Sequence, residues 1–219
     1  MFITIKELTA AIVVMSAASQ ASAATVVVNG TFDDTSGWTG TFNAQSGPGG
    51  GYPILDTQTY YQGGNNAYNE ISQSYALSGA ELSSLSSTGL TYSMSADLFG
   101  YSTQQDYSTF TAEFLDASLA SLGSVSLVST TNDPGTWASI YTAGLAPVFQ
   151  STGGSIDAAT TSILFTVSSM RQQGLANDGY LDNAFFELTP SISAVPLPAG
   201  MPMLVAGLAG FGLLRRKAR

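Results

Sequence analysis

The 219-residue chain has no cysteine and no histidine, and its only lysines, Lys6 and Lys217, lie near its two ends. Without cysteine there are no disulfides, no thiol nucleophile and no thiolate zinc site. Without histidine there is no Ser-His-Asp triad. A lysine-free middle excludes Schiff-base chemistry and lysine-assisted serine nucleophiles, which leaves carboxylates as the available reactive groups. Charge is also scarce, at 10% of residues. Five of the six basic residues sit in the end segments (Lys6, Arg215, Arg216, Lys217 and Arg219), so between them fourteen carboxylates stand against Arg171 alone, a formal charge of −13. That balance excludes a nucleic-acid partner, because phosphate binding needs clustered Lys and Arg. It suits divalent cations and keeps a domain soluble by self-repulsion. What is present is 44% hydrophobic residues, enough for a core, with Ser, Thr, Gly, Asn and Tyr as the polar complement, a mixture that favours strands and turns.

Residues 1–23 read as an export signal: Lys6, an apolar stretch over 8–18, then Ala21-Ser22-Ala23, a small-x-small pattern that places cleavage after Ala23. The apolar stretch is too short to span a bilayer. At the other end Val195-Pro196-Leu197-Pro198-Ala199 precedes an apolar stretch over 201–214 and the basic cluster Arg215-Arg216-Lys217-Ala218-Arg219. A fourteen-residue helix reaches about 21 Å against a hydrocarbon core of roughly 30 Å, so it makes a marginal span, and the basic end stays on the cytoplasmic side. An ordinary single-span anchor would give the same topology.

Between the ends the pattern has period two, broken by Gly, Asn, Asp or Ser, and predicts an all-β, two-sheet antiparallel β-sandwich over 24–188 with the two terminal hydrophobic helices outside it. Strands are expected at 25–28, 71–77, 90–98, 109–115, 123–128, 137–141, 162–168 and 180–188, with Leu90, Tyr92, Met94, Ala96 and Leu98 on one face. One helical turn is expected at 81–86 and a glycine-rich loop at 45–52. Residues 129–136 and 151–160 read as connections, 189–194 as a linker, and 195–219 as a tail.

The tail resembles the PEP-CTERM class of exosortase-recognised sorting signals in its Val-Pro-Leu-Pro-Ala variant, matched at all five positions. The resemblance implies recognition by a transpeptidase-like membrane enzyme, transient membrane association and removal of the tail, in a bacterium that makes exopolysaccharide. The opening Val27-Val28-Asn29-Gly30-Thr31-Phe32-Asp33 with Gly37-Trp38, and the closing Asn177-Asp178-Gly179-Tyr180-Leu181-Asp182-Asn183-Ala184, resemble the jelly-roll, galactose-binding-like carbohydrate-binding modules. In that family the opening loop and last strand lie together and often hold a structural Ca2+. The resemblance therefore implies Asp33 and Asp182 as ligands, with Asn29 and Thr31 supplying loop oxygens. Asp33 stands where the family has Glu, one methylene shorter. Turn-forming and strand-capping roles are the alternative for these aspartates.

Sugar binding needs an exposed aromatic face flanked by amides or carboxylates. Tyr60, Tyr61, Asn65 and Tyr68 supply these in one segment, and Tyr101 and Tyr107, with Gln104 and Gln105, in a second. Adjacent Tyr60 and Tyr61 point to opposite sides if extended, which puts one of them in the core. A catalytic alternative, a glycoside hydrolase or lyase, would need a carboxylate pair drawn from Glu70, Asp97, Asp106 and Glu113, and alternation places Glu113 on an outward face. The expectation is an exported, noncatalytic protein of the cell envelope, surface or biofilm matrix that contacts polysaccharide. A purely structural protein that self-associates through strand edges is the other alternative.

Overall fold

The structure, a computed structural model, describes residues 24–46, 59–100, 104–129 and 148–191. The expected strand at 137–141, the part of the expected 45–52 loop beyond Ser46, Tyr101, the export signal with Ala21 and Ala23, and the tail with Val195, Pro196, Leu197, Pro198 and Ala199 lie outside them, while Gln45 and Ser46, expected in that loop, belong to a strand.

The chain forms short β1 (Ala24–Thr25), β2 (Thr39–Gly40) and β3 (Asn43–Ser46), then β4 (Thr59–Gln62), β5 (Tyr68–Ala76), α1 (Gly79–Ser87), β6 (Leu90–Gly100), β7 (Tyr107–Leu115), β8 (Ser121–Val128), β9 (Val148–Ser155), β10 (Ser162–Met170) and β11 (Gly179–Pro190). One sheet runs β3-β4-β11-β6-β9 with β1 also on β11, and the other runs β2-β5-β10-β7-β8. Every pairing is antiparallel. Counting from β4 to β11, the first, eighth, third and sixth strands share one sheet and the second, seventh, fourth and fifth the other, which is jelly-roll connectivity.

Alternation produces the core. In β6, Leu90, Met94, Ala96 and Leu98 are buried and Tyr92 packs against them, facing Phe110, Ala112, Ile163, Phe165 and Val167 of the opposite sheet. Phe165 and Phe186 meet edge-on at 5.0 Å across the two sheets. Each of the fully buried Leu, Ile, Val, Met and Phe side chains here stabilises the fold by about 1.5–3 kcal/mol. The helix α1 is longer than the expected turn because Ser78 and Glu81 form a reciprocal capping box, and it anchors itself through Leu85.

Several expectations are corrected. Residues 151–155, expected as part of a connection over 151–160, belong to the strand Val148–Ser155. Its sequence hides it, since an edge strand half in water needs no apolar alternation. Thr59–Gln62, expected within a binding loop, is an internal strand between β3 and β11. The last strand continues to Pro190, two residues into the stretch read as linker. At the start, the strand is Ala24–Thr25, prolonged by the Val26 N–H to the Phe186 carbonyl at 2.9 Å, and it does not reach residue 28.

Candidate functional site

Among the described residues, register builds an extended polar and aromatic surface on the outer face of the five-stranded sheet. Opposing residues on antiparallel strands share a face. Tyr68, Met170 and Tyr107 therefore form one row across β5, β10 and β7. The next row is Glu70, Ser168, Thr109 and Val128, and the third is Thr39, Ser72, Thr166, Thr111 and Ser126, five hydroxyls crossing all five strands. Tyr68 is 49% exposed. The other members are exposed or half-buried. The two tyrosines lie two strand spacings apart, about 10 Å. From Met170 to Ser162 the face extends about 26 Å along β10. At its far end an open depression of about 560 Å³ is lined by Ser74, Ala76, Glu113, Leu115, Ser121 and Leu164 among others.

Buried polar contacts hold the tyrosine end in place. Asp106, immediately before Tyr107, is fully buried. Its carboxylate accepts backbone N–H groups from Gln172 (2.6 Å), Gln173 (2.9 Å) and Asp178 (2.9 Å). Arg171 follows Met170 and ties the neighbouring loop through its N–H to the Ala67 carbonyl (2.8 Å) and its guanidinium to the carbonyls of Asn65 (3.0 Å) and Leu175 (2.6 Å). The Tyr68 hydroxyl donates to the Glu70 carboxylate. Partial burial, then that carboxylate, push the Tyr68 phenol up to about 12, so it is neutral and a donor at any physiological pH. Beside this end Asn43, Asn65, Asn66 and Asn69 line a small cleft of about 140 Å³.

The two expected aromatic clusters each contribute one ring to this face, Tyr68 from the first and Tyr107 from the second. Tyr60 and Tyr61 do not join them: both are fully buried. Tyr61 enters the main core, where its hydroxyl meets Ser169 (3.1 Å) and the Asn69 amide (3.0 Å). Tyr60, on the opposite side of its strand, packs against Phe99 and Tyr180 at 5.1 and 5.2 Å. Neither offers a ring to a ligand. Asn65 stays exposed in the amide cleft. The hydroxyl rows and Met170 escaped the sequence reading. Alternation assigns each to a polar face, but only the non-local register aligns them.

The opening loop lies against the last strand as the resemblance implied. Ala184 N–H donates to the Gly30 carbonyl at 2.9 Å, and a Cβ on Gly30 would stand 1.9 Å from the Ala184 carbonyl oxygen. The Asp33 carboxylate is exposed and accepts the hydroxyls of Thr31 (2.8 Å) and Thr59 (2.9 Å), while the Asn29 side-chain oxygen takes the Asp33 N–H (3.2 Å). Asp182 is buried, accepts the Asn183 N–H (2.8 Å) and stands opposite Asp97 in the strand register. Asp97 in turn accepts the Asn183 amide at 2.8 Å. Among the described residues no group of three acidic side chains is arranged to hold a metal. The donor set, carboxylates with amide and carbonyl oxygens, is nevertheless of the type calcium takes.

For the catalytic alternative, Glu70 and Glu113 share the outer face, but four residues and two strands separate them, about 16 Å. A glycosidase pair stands roughly 5–9.5 Å apart. Asp106 is committed to three backbone N–H groups. Burial raises the Asp178 carboxyl above its ordinary value of 3.8, partly offset by the bond from the Tyr180 hydroxyl (2.5 Å), with Asp106 raising it further.

No family model matches the chain, and no curated protein is similar to it in sequence. Solved structures with a similar arrangement include the enzymatically active domain of bacteriophage CBA120 tailspike protein 4, at TM-score 0.48 and 13% identity over 75% of this chain. This chain spans 21% of that protein's length. Family 16 Carbohydrate Binding Module-2 aligns at TM-score 0.47 and 13% identity, covering 74% of this chain and 98% of the module. A Stig cyclase from Fischerella sp. TAU aligns at TM-score 0.46 and 11% identity, covering 78% of this chain and 100% of the cyclase.

Proposed function

We propose that the protein is an exported, noncatalytic component of the bacterial cell surface or matrix, and that the outer face of its five-stranded sheet binds an uncharged polysaccharide chain. The observation that carries this reading is the row Tyr68, Met170 and Tyr107 backed by two rows of hydroxyls and Glu70. Two rings about 10 Å apart supply apolar faces for sugar C–H groups, and the hydroxyls and carboxylate bond sugar hydroxyls. The face is open and elongated, a shape that admits an internal stretch of a polymer. Among the described residues it carries Glu70 and Glu113 and no cation, so an anionic polymer would be repelled. Affinity electrophoresis through gels containing a neutral glucan, a xylan or an alginate tests it. Retardation by a neutral polymer, lost on Tyr107→Ala, is the expected result. Retardation by alginate alone, or equal retardation of the variant, overturns it.

The ends of the chain support export and removal of the tail by an exosortase-type enzyme. Mass spectrometry of the protein recovered from cells and medium would then find no peptides from 204–219. A structural Ca2+ held by Asp33 and the opening loop, with Asp182 of the adjoining strand, completes the proposal. A ligand that binds only the folded form raises the melting midpoint. A chelator is therefore expected to lower it, and an unchanged midpoint discards the metal.

A further inference from the structure

A strand at the edge of a sheet presents unpaired N–H and C=O groups to any passing strand, and proteins blunt such edges with shortness, charge, proline or bulges. Among the described residues, the lateral strands β2 and β3 are short, two and four residues. The edge strand β8 is bulged against β7 between Phe114 and Leu115, with Gly123 at φ +143°. The fourth, β9, shows none of these defences among the described residues. Its eight residues Val-Phe-Gln-Ser-Thr-Gly-Gly-Ser include no charge and no proline, and they pair with β6 in unbroken register from Val148 to Ser155.

The hydrogen-bond phase of this edge follows from one contact. Ile156 N–H donates to the Leu90 carbonyl at 3.0 Å, in line with the β6 and β9 register. Residues of even number therefore turn their backbone groups toward β6, and Phe149, Ser151, Gly153 and Ser155 turn theirs to the open side. All four are exposed. Gly153 has no side chain, so its exposure is exposure of backbone. Phe149 is 65% exposed and shares a face with Gly153.

We propose that β9 is a self-pairing edge through which two copies of the chain join antiparallel about a two-fold axis at Ser151. In that register the outward residues bond each other, with Phe149 of each copy over Gly153 of its mate. An exposed ring thus covers a glycine that lacks a side chain of its own. A second copy is the occupant because the strand is complementary to itself. The domain's charge of −13 also directs association to a charge-free strand, since other approaches set carboxylates against carboxylates. The acidic residue next to Phe149 in the row is Asp97, one strand back and held by the Asn183 amide.

The absence of cysteine makes the test direct. In the full-length protein Ser151→Cys is the sole thiol. Hydrogen-bonded antiparallel partners lie about 5.5 Å apart at Cα, inside the range of about 4.4–6.8 Å that a disulfide bridges. Mild oxidation is expected to give disulfide dimer at least tenfold faster for Ser151→Cys than for Ser74→Cys, an exposed position on the other sheet. In sedimentation velocity the parent protein should dimerise with concentration, and Phe149→Asp, which sets a second carboxylate beside Asp97, should stay monomeric and still melt cooperatively. Equal cross-linking rates for the two cysteines, or identical sedimentation of parent and Phe149→Asp, would overturn the proposal.

Discussion

The two sheets carry aromatic residues on their outer faces, with opposite outcomes. On the six-stranded sheet Tyr60, Phe99 and Tyr180 form a second small core with Val148 packed against it, and all three rings are fully buried. On the five-stranded sheet Tyr68 and Tyr107 remain accessible at one end of a hydroxyl-covered platform. The difference shows that tyrosine content does not mark a binding site. Accessibility does: the rings of the small core are withdrawn from water, while Tyr68 and Tyr107 stand among rows of Ser and Thr that leave them within reach.

The largest effect should come from the buried cluster. Tyr60→Ala or Phe99→Ala is expected to cost about 3–5 kcal/mol, because truncating a buried aromatic loses both its transfer energy and its packing. Tyr68→Ala and Tyr107→Ala should each stay within about 1 kcal/mol of the parent by urea denaturation. Similar losses at both faces would erase the distinction between them. Next comes Gly30→Ala, whose new Cβ would stand 1.9 Å from the Ala184 carbonyl oxygen. Separating loop and strand to relieve the clash is expected to cost about 2–3 kcal/mol. An unaltered urea midpoint would show that the opening loop is not fastened to β11.

A smaller effect concerns Asp178, the residue immediately before β11, whose carboxylate accepts the hydroxyl of the buried Tyr180. Burial raises its pKa in the folded state above 3.8. The folded state therefore holds this proton more tightly than the unfolded chain. The stability this contributes is complete below about pH 4 and is lost as pH rises through the folded-state pKa. Asp178→Asn keeps an acceptor for the Tyr180 hydroxyl and removes the titration. The melting midpoint of the variant relative to the parent should rise between pH 3.5 and pH 7. A constant or falling difference contradicts the assignment.

How legible all this is in the sequence depends on where each residue's partners lie. The strand β6 is plain, because one face is buried along most of its length and alternation records that. The strand β4 is not, since Tyr60 and Tyr61 are adjacent and both buried, one on each side of an internal strand, which breaks period two. The strand β9 hides behind Gly153 and Gly154, packed against Tyr92, and behind an edge that needs few apolar residues. Tyr68 and Tyr107 are individually conspicuous. Their alignment needs β10, which follows β7 by more than forty residues and comes between it and β5. Local pattern does not encode such a pairing. The opening loop and closing strand were recognisable because both are short contiguous motifs.

Under the proposed function the accessible face, and not the buried cluster, meets the polysaccharide. Isothermal titration of the Tyr68→Ala/Tyr107→Ala double variant, with whichever neutral polysaccharide retards the parent, decides this. The predicted result is at least a tenfold loss of affinity, about 1.4 kcal/mol, with the melting midpoint held. Undiminished binding by the double variant would contradict it.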